Sequence, residues 1–96
     1  MQLRRGTFVG TLNYLSPEMA QNAISTLESD LWALGCIIFK MVTGRPAFPG
    51  MDLFQLKPAI LSRRVDWRED KIDPLCKDLI DKLLQVKPED RLGAPG

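Results

Sequence analysis

The sequence has 96 residues, of which 45 % are hydrophobic and 26 % charged, and this composition is typical of one folded unit rather than of a disordered chain. The net charge of +1 gives no electrostatic attraction to nucleic acid or to an anionic membrane surface. The longest apolar stretch, residues 31–39, is too short to cross a bilayer, so no membrane span is predicted. Because histidine is absent, the chain has no Ser-His-Asp or Cys-His catalytic arrangement.

The cysteines and the first residues exclude further classes of protein. Cys36 and Cys76 are forty residues apart, a distance that fits no paired metal-ligand spacing. Each stands among apolar residues, so we expect two reduced, buried thiols and no metal site. Residues 1–6 carry two arginines but no apolar core and therefore do not form a signal peptide. Together these features predict a cytoplasmic protein.

In chain order, an extended loop comes first and a short helix second. Residues 1–15 have little helical period and contain two glycines as flexible points. Ser16 is predicted to cap a helix, because its side-chain oxygen can accept a bond from a backbone N–H. Pro17 suits the first helical position, and the negative charge of Glu18 suits the positive end of the helix.

A second and longer helix is predicted from Ser29 or Asp30 to about Thr43, with Gly44 as its stop. Apolar side chains occur on nearly every face of it: Leu31, Trp32, Leu34, Cys36, Ile37, Ile38, Phe39, Met41 and Val42. Such a helix requires protein on all sides. If part of it is left uncovered, we expect a loosely packed or self-associating chain.

A third helix is predicted over residues 53–61, with Asp52 as its N-cap. Pro58 falls inside this helix, where it removes one backbone donor and clashes with the preceding turn. An interior proline typically costs a helix about 3 kcal/mol. We therefore expect the helix to kink, to start late or to stop early.

The last third of the chain predicts a loop and a fourth helix. Residues 62–73 are polar, with Trp67 as an anchor. Asp73 and Pro74 open a helix that is predicted to reach about Val86. Its apolar stripe is made by Leu75, Cys76, Leu79, Ile80, Leu83 and Leu84. The predicted fold class is all-α.

Several motifs, in the correct order and register, resemble the protein kinase family. Residues 16–18 (Ser-Pro-Glu) resemble the Ala-Pro-Glu-type end of a kinase activation segment. Residues 29–38 (Ser-Asp-Leu-Trp-Ala-Leu-Gly-Cys-Ile-Ile) resemble the start of the long central helix of the large, C-terminal lobe. With residues 8–11 (Phe-Val-Gly-Thr) and 91–93 (Arg-Leu-Gly), they look most like AGC serine/threonine kinases, and within that group like the phosphoinositide-dependent kinases.

The resemblance implies a partial protein kinase domain over residues 1–96. Residues 1–15 would form the extended end of the activation segment with the substrate-facing loop, and residues 16–96 the helical portion of the C-terminal lobe. Thr7 matches a position that is phosphorylated in many such kinases, and the alternative is an unmodified loop threonine. Thr11 resembles the threonine that marks serine/threonine kinases, and the alternative is a turn threonine next to a glycine. The residues implied to meet the substrate are Gly10, Thr11, Leu12 and Tyr14.

Charged residues have structural roles in the family pattern. Glu18 and Arg91 resemble a buried ion pair that ties the activation segment to the end of the lobe, and the alternative for both is a solvated surface charge. Asp30 resembles the aspartate that accepts N–H bonds from the catalytic loop, and an acidic residue in a first helical turn is also favourable in itself. Trp32 is predicted to be core. The implied structural set is Ser16, Pro17, Glu18, Asp30 and Arg91.

The motifs that bind nucleotide in kinases do not occur in this sequence. Kinases need a glycine-rich loop, a strand lysine, a catalytic aspartate and an Asp-Phe-Gly metal site. No G-x-G-x-x-G, His-Arg-Asp or Asp-Phe-Gly is present. ATP and magnesium are thus implied for the complete kinase only, and we expect the 96-residue chain alone to be inactive. The implied partners are protein substrates and an upstream or self-phosphorylating kinase, without nucleic acid.

Two other interpretations stay open. The chain could be a non-catalytic interaction module derived from a truncated kinase lobe, or, less in keeping with the ordered motifs, an unrelated helical domain. Upstream coding sequence with the missing lysine, His-Arg-Asp and Asp-Phe-Gly elements would favour the enzyme, whereas a transcript that begins at Met1 would favour the module.

Overall fold

The structure, a computed structural model, describes residues 14–48, 52–67 and 71–94. Within these ranges the regular elements are all helical, which confirms the predicted fold class. They are α1 (Pro17–Asn22), α2 (Leu27–Thr43), α3 (Leu53–Leu61), α4 (Pro74–Leu83) and a 3₁₀ turn at Pro88–Asp90. The extended segment predicted over residues 1–15 lies outside the described residues except for its last two.

Helix α2 begins earlier than predicted, because its cap is Thr26 and not Ser29 or Asp30. The side-chain oxygen of Thr26 accepts a bond from the N–H of Ser29 at 3.3 Å, and the Ser29 hydroxyl accepts one from the N–H of Thr26 at 3.0 Å. This reciprocal capping box satisfies two donors that a helix start leaves free. The helix ends at Gly44 as predicted, with a left-handed φ of 78° that glycine adopts at little cost.

Helix α4 ends at Leu83 and does not continue to Val86 as predicted. The carbonyl groups that would carry it onward accept other donors: Asp81 O accepts from the side-chain amide of Gln85 at 2.8 Å, and Lys82 O accepts from the N–H of Leu92 at 3.0 Å. These donors replace the backbone hydrogen bonds of another helical turn.

Pro58 neither delays nor shortens α3, so the expected late start or early stop is wrong, whereas the expected kink stays a prediction. The helix runs from Leu53 to Leu61 with Pro58 inside it, and Asp52 caps it as predicted through a 3.0 Å bond from the N–H of Gln55. The carbonyl deprived of its donor belongs to Phe54, four residues earlier. Phe54 is 88 % exposed, so the turn that loses this bond lies at the surface.

The core lies where α2 meets α4, with α3 packed against α1. Trp67, predicted as an anchor, contacts this core edge-on through Phe39, with ring centroids 5.4 Å apart. Tyr14 also packs against it from the beginning of the described chain. The buried core residues are Leu15, Trp32, Cys36, Phe39, Ala47, Phe48, Leu56, Ala59, Ile60, Ile80 and Leu84.

The described residues cover helix α2 on one side only, which is the condition under which we expect self-association. One stripe, containing Trp32 and Phe39, is fully buried. The opposite one, which we call the open face of α2, consists of Leu27, Leu34, Ile37 and Met41 and is 39–78 % exposed. In α4, Leu75 is likewise 82 % exposed and does not join the predicted stripe.

A close approach of helices fixes Gly35 as a glycine. A Cβ atom added there would lie 2.9 Å from Leu83 Cβ and 2.9 Å from Leu84 Cδ2, inside van der Waals contact. The absence of a side chain at Gly35 therefore lets the end of α4 rest directly on the backbone of α2.

Both cysteines are free thiols, but only one is buried as predicted. Cys36 is 1 % exposed, and its burial raises the pKa of the thiol to about 12. Because the thiolate is the reactive form, Cys36 is chemically inert at neutral pH. Cys76 is half-buried at the edge of the core, which corrects the second half of the prediction.

Candidate functional site

The Ser-Pro-Glu run forms the first turn of α1. Ser16 is fully buried and its hydroxyl oxygen accepts the N–H of Met19 at 3.4 Å. Pro17 follows at the first helical position, where its missing N–H would have no helical partner. Glu18 comes next and directs its carboxylate towards α2 and the end of the chain, since its partners are Ser29 and Arg91.

Glu18 and Arg91 form the predicted ion pair, with the two-bond geometry that suits a guanidinium and a carboxylate. Nη1 of Arg91 donates to Oε2 of Glu18 at 2.8 Å, and Nη2 donates to Oε1 at 2.8 Å. The side chain of Arg91 is 0 % exposed and that of Glu18 is 12 % exposed. We call this pair the Glu18–Arg91 fork. A solvated surface charge, the alternative weighed for both residues, does not describe it.

Arg91 has an acceptor for every one of its N–H groups. A guanidinium has five N–H donors. Besides the two bonds to Glu18, Nε donates to the carbonyl of Gln85 at 2.8 Å, Nη1 to that of Glu28 at 2.7 Å and Nη2 to that of Val86 at 3.3 Å. One buried cation thus ties α1 to the first turn of α2 and to the segment after α4.

The carboxyl of Glu18 is held in its charged form. Its partial burial raises its pKa, but hydrogen bonds from Arg91 and Ser29 and the positive charge of Arg91 together lower the pKa below its ordinary value. The carboxylate is therefore ionised at neutral pH, so the fork joins a negative and a positive charge.

The indole ring of Trp32 extends this cluster to the loop after α2. The guanidinium carbon of Arg91 lies 5.1 Å from the centre of the ring, a cation–π distance. The same indole stacks on Phe48, with centroids 5.3 Å apart and an angle of 10° between planes. Trp32 is therefore core, as predicted, but it is also in contact with the fork.

Ser29 is a member of the cluster that the sequence-based interpretation missed. The sequence pattern indicates Ser29 only as a possible helix start, whereas its hydroxyl donates to Oε2 of Glu18 at 2.6 Å. The spacing Thr-x-x-Ser before an apolar run could have indicated its place in the helix cap, but not its bond to Glu18. Asp30, the neighbour that was singled out, is exposed in the first turn of α2, where its charge favours the helix.

The residues implied to face a substrate lie almost entirely outside the described part of the chain. Thr7, Gly10, Thr11 and Leu12 precede it. Tyr14 is described, and it is half-buried against the core.

The described residues contain neither a cluster of metal-ligand side chains nor a helix that could cross a membrane. Across residues 14–48, 52–67 and 71–94, no group of three or more His, Cys, Asp or Glu side chains could hold a metal ion. Among the described residues there is thus no donor set that fits magnesium. In the same ranges, no helix has both the length and the apolarity needed to cross a membrane.

Comparisons with known proteins agree with the geometry. Residues 2–96 match the protein kinase domain family. The chain is 44 % identical over 91 residues to the probable serine/threonine-protein kinase pdkA of Dictyostelium discoideum, covering 95 % of this chain and 13 % of that protein. It is 40 % identical over 92 residues to human 3-phosphoinositide-dependent protein kinase 1, covering 96 % of this chain and 16 % of that kinase.

A third relative matches this chain with a similar identity and over a similar range. The putative human 3-phosphoinositide-dependent protein kinase 2 is 40 % identical over 92 residues, which cover 96 % of this chain and 23 % of that protein. The chain thus spans 13–23 % of the length of these three relatives. The match over nearly all residues, the identity of 40–44 % and the helical architecture agree, and the chain belongs to the protein kinase domain family.

Proposed function

We propose that this chain is the substrate-facing scaffold of a serine/threonine protein kinase, and that the whole protein transfers a phosphoryl group from ATP to serine or threonine hydroxyls of other proteins. The Glu18–Arg91 fork carries the proposal, because it joins the end of the segment that resembles an activation segment to the end of the helical lobe. The names of the relatives support the same class of reaction.

In this proposal, the residues before α1 present the substrate. Gly10, Thr11, Leu12 and Tyr14 form the wall that meets the substrate residue next to the phosphoacceptor. Thr7 is phosphorylated by an upstream kinase or by the protein itself, which adds about −1.5 to −2 charge near the arginines at positions 4 and 5.

The other parts of the proposed kinase bind the reactants. ATP would supply the phosphoryl group, and magnesium would neutralise its charge. Both would be bound by glycine-rich, lysine and aspartate elements that this sequence lacks. The contribution of this chain is orientation: Asp30 faces the catalytic loop, and the fork holds the start of α1 against α2. The proposed location is the cytoplasm.

A chimera tests the proposal directly. The 92 residues of human 3-phosphoinositide-dependent protein kinase 1 that match this chain are replaced by the corresponding residues of this chain. We expect the chimera to phosphorylate serine and threonine peptides in the presence of magnesium and ATP. The same chimera with Thr11→Ala, or with Glu18→Ala, should lose most of this activity.

The control also removes one negative charge, but at a position outside the fork. Glu89 is an exposed glutamate in the 3₁₀ turn, and Glu89→Ala in the chimera should leave the activity unchanged. A chimera that folds but transfers no phosphate contradicts the proposal and favours the interaction module instead. Equilibrium dialysis measures whether the 96-residue chain alone binds ATP. Saturable, magnesium-dependent binding would contradict the proposal that only the other parts of the kinase bind ATP.

A further inference from the structure

The hydroxyl group of Ser29 belongs to two hydrogen-bonded groups, the capping box of α2 and the Glu18–Arg91 fork. It accepts the N–H of Thr26 at 3.0 Å in the capping box of α2, and it donates to Oε2 of Glu18 on α1 at 2.6 Å. Ser29 is 3 % exposed, so water does not compete for either bond. The cap and the fork therefore share one oxygen atom.

The direction of these two bonds follows from the groups involved. A backbone N–H only donates, so the oxygen of Ser29 must accept from Thr26. The carboxylate of Glu18 is ionised and only accepts, so the single hydroxyl proton of Ser29 lies towards Oε2. The geometry thus requires a group that accepts on one side and donates on the other.

Few side chains meet that requirement at this position. Capping boxes most often have Glu or Gln where Ser29 stands. A glutamate here would still accept from Thr26, but it could not donate to Glu18 and would place a second negative charge beside it. An alanine would do neither. A glutamine amide could accept and donate, but it is much larger than a hydroxyl, and Ser29 is 3 % exposed. A hydroxyl is thus the small group that serves both bonds within this buried space.

We propose that Ser29 is a positioning residue of the Glu18–Arg91 fork, which it couples to the formation of the first turn of α2. When the capping box forms, it orients the hydroxyl proton towards Oε2 and adds a third donor to a carboxylate that already accepts two bonds from Arg91. The coupling concerns the fork itself, whereas its value for presenting a substrate rests on the proposed function.

The groups around the carboxylate of Glu18 come from three elements. Glu18 itself lies on α1, and the positively charged Arg91 comes from the segment after the 3₁₀ turn. At the start of α2, the backbone carbonyl of Glu28 accepts a bond from Arg91. Ser29 supplies the neutral donor among them, and its removal leaves the charges of the fork in place. A change in the proton affinity of Glu18 on removing this hydroxyl therefore reports the hydrogen bond.

The test is a carboxyl NMR titration of the full 96-residue chain labelled at glutamate. In Ser29→Ala we expect the pKa of Glu18 to rise by about one unit, which is a tenfold change in proton affinity. Ser29→Thr keeps the hydroxyl and should restore the original pKa. Thr26→Ala removes the bond from the Ser29 N–H to the Thr26 hydroxyl but keeps the backbone N–H of Thr26 that orients the Ser29 hydroxyl, so the pKa of Glu18 should stay near that of the unaltered chain.

Equal rises in Ser29→Ala and Thr26→Ala, or no rise in Ser29→Ala, overturn the proposal, because the hydroxyl would then act only through the stability of the helix. A measurement on the unaltered chain covers the case in which Ser29→Ala does not fold. We expect a slowly exchanging Ser29 hydroxyl proton resonance that shifts when Glu18→Gln is introduced. A rapidly exchanging hydroxyl also overturns the proposal. None of these readouts depends on phosphate transfer, so they fail or succeed independently of the proposed kinase activity.

Discussion

At the scale of single residues, Arg91 explains why a charge is buried in a small helical unit. A buried ion is costly unless its pairing and its hydrogen bonds are complete. Arg91 meets both conditions, because its five N–H groups reach five oxygens, two of them on Glu18. Lysine has neither the planar shape nor the number of donors to do the same.

The fork should be strongly coupled in a double-mutant cycle. We expect Glu18→Ala and Arg91→Ala each to lower the free energy of unfolding by about 3–5 kcal/mol, because each leaves a buried charge without its partner. The double variant should lose much less than the sum. Denaturant titrations give the three values, with the exposed Glu89→Ala as a control that should change stability by under about 0.5 kcal/mol. Additive losses would contradict the coupling.

The lowered pKa of Glu18 also gives the stability a specific pH dependence. A carboxyl whose pKa is lower when folded contributes stability above its unfolded pKa, about 4.3, and this contribution is lost as the pH falls through the lower, folded value. Glu18→Gln removes the titrating group. We therefore expect the difference in unfolding free energy between the unaltered chain and Glu18→Gln to be constant near pH 7 and to shrink below about pH 4. A difference that grows on acidification would be inconsistent with this sign.

The sequence alone could predict the partners of the fork only through resemblance to a family. Glu18 and Arg91 are separated by 73 positions, and no local pattern relates residues so far apart. Ser29 was missed for a different reason. Its bond to Glu18 depends on how α1 and α2 meet, and packing of that kind is not encoded in the spacing of neighbouring residues.

At the scale of helices, local signals predicted the elements and tertiary contacts decided some of their ends. Asp52 capped α3 and Gly44 ended α2 as expected, since both effects are confined to one turn. The predicted end of α4 was wrong because the carbonyls of Asp81 and Lys82, which would accept the next helical N–H groups, bind the Gln85 side chain and the N–H of Leu92 instead. The existence of a helix is thus readable from the sequence, while its last turn depends on the fold.

The contact between α2 and α4 should be sensitive to one methyl group. We expect Gly35→Ala to destabilise the chain, because the new Cβ would meet Leu83 and Leu84 at 2.9 Å. Crowding of a packed core typically costs about 1–3 kcal/mol, which exceeds or offsets the gain of about 1 kcal/mol from the better helix propensity of alanine. The larger Gly35→Val should be worse still. Thermal unfolding followed by circular dichroism measures both, and a stabilised Gly35→Ala would contradict the close packing.

At the scale of the whole molecule, the open face of α2 is the most conspicuous apolar surface of the described residues. Leu27, Leu34, Ile37 and Met41 follow one another at helical spacing and remain 39–78 % exposed. Apolar surface of this kind favours association. The sequence indicates that this helix needs cover on every side, and the described residues supply that cover on one side only.

The 96-residue chain should therefore self-associate through this face. Size-exclusion chromatography with light scattering should show species larger than a monomer at micromolar concentration. Ile37→Glu should shift the chain towards the monomer, because it places a charge in the middle of the face. Phe54→Glu is the matched control, since Phe54 is an exposed apolar residue on α3, away from α2, and we expect it to change association little. A monomer that melts cooperatively would contradict this prediction.

The long separation between Glu18 and Arg91 has a further consequence for how the chain folds. Joining two points 73 residues apart restricts the unfolded chain at an entropic cost of roughly 4 kcal/mol, whereas helical turns need only local closure. The fork should thus form late, after the transition state for folding. In stopped-flow experiments, Arg91→Lys should accelerate unfolding much more than it slows refolding. When this one buried cation is changed, the chain would still fold readily into its helical form. Its folded state would, however, unfold sooner.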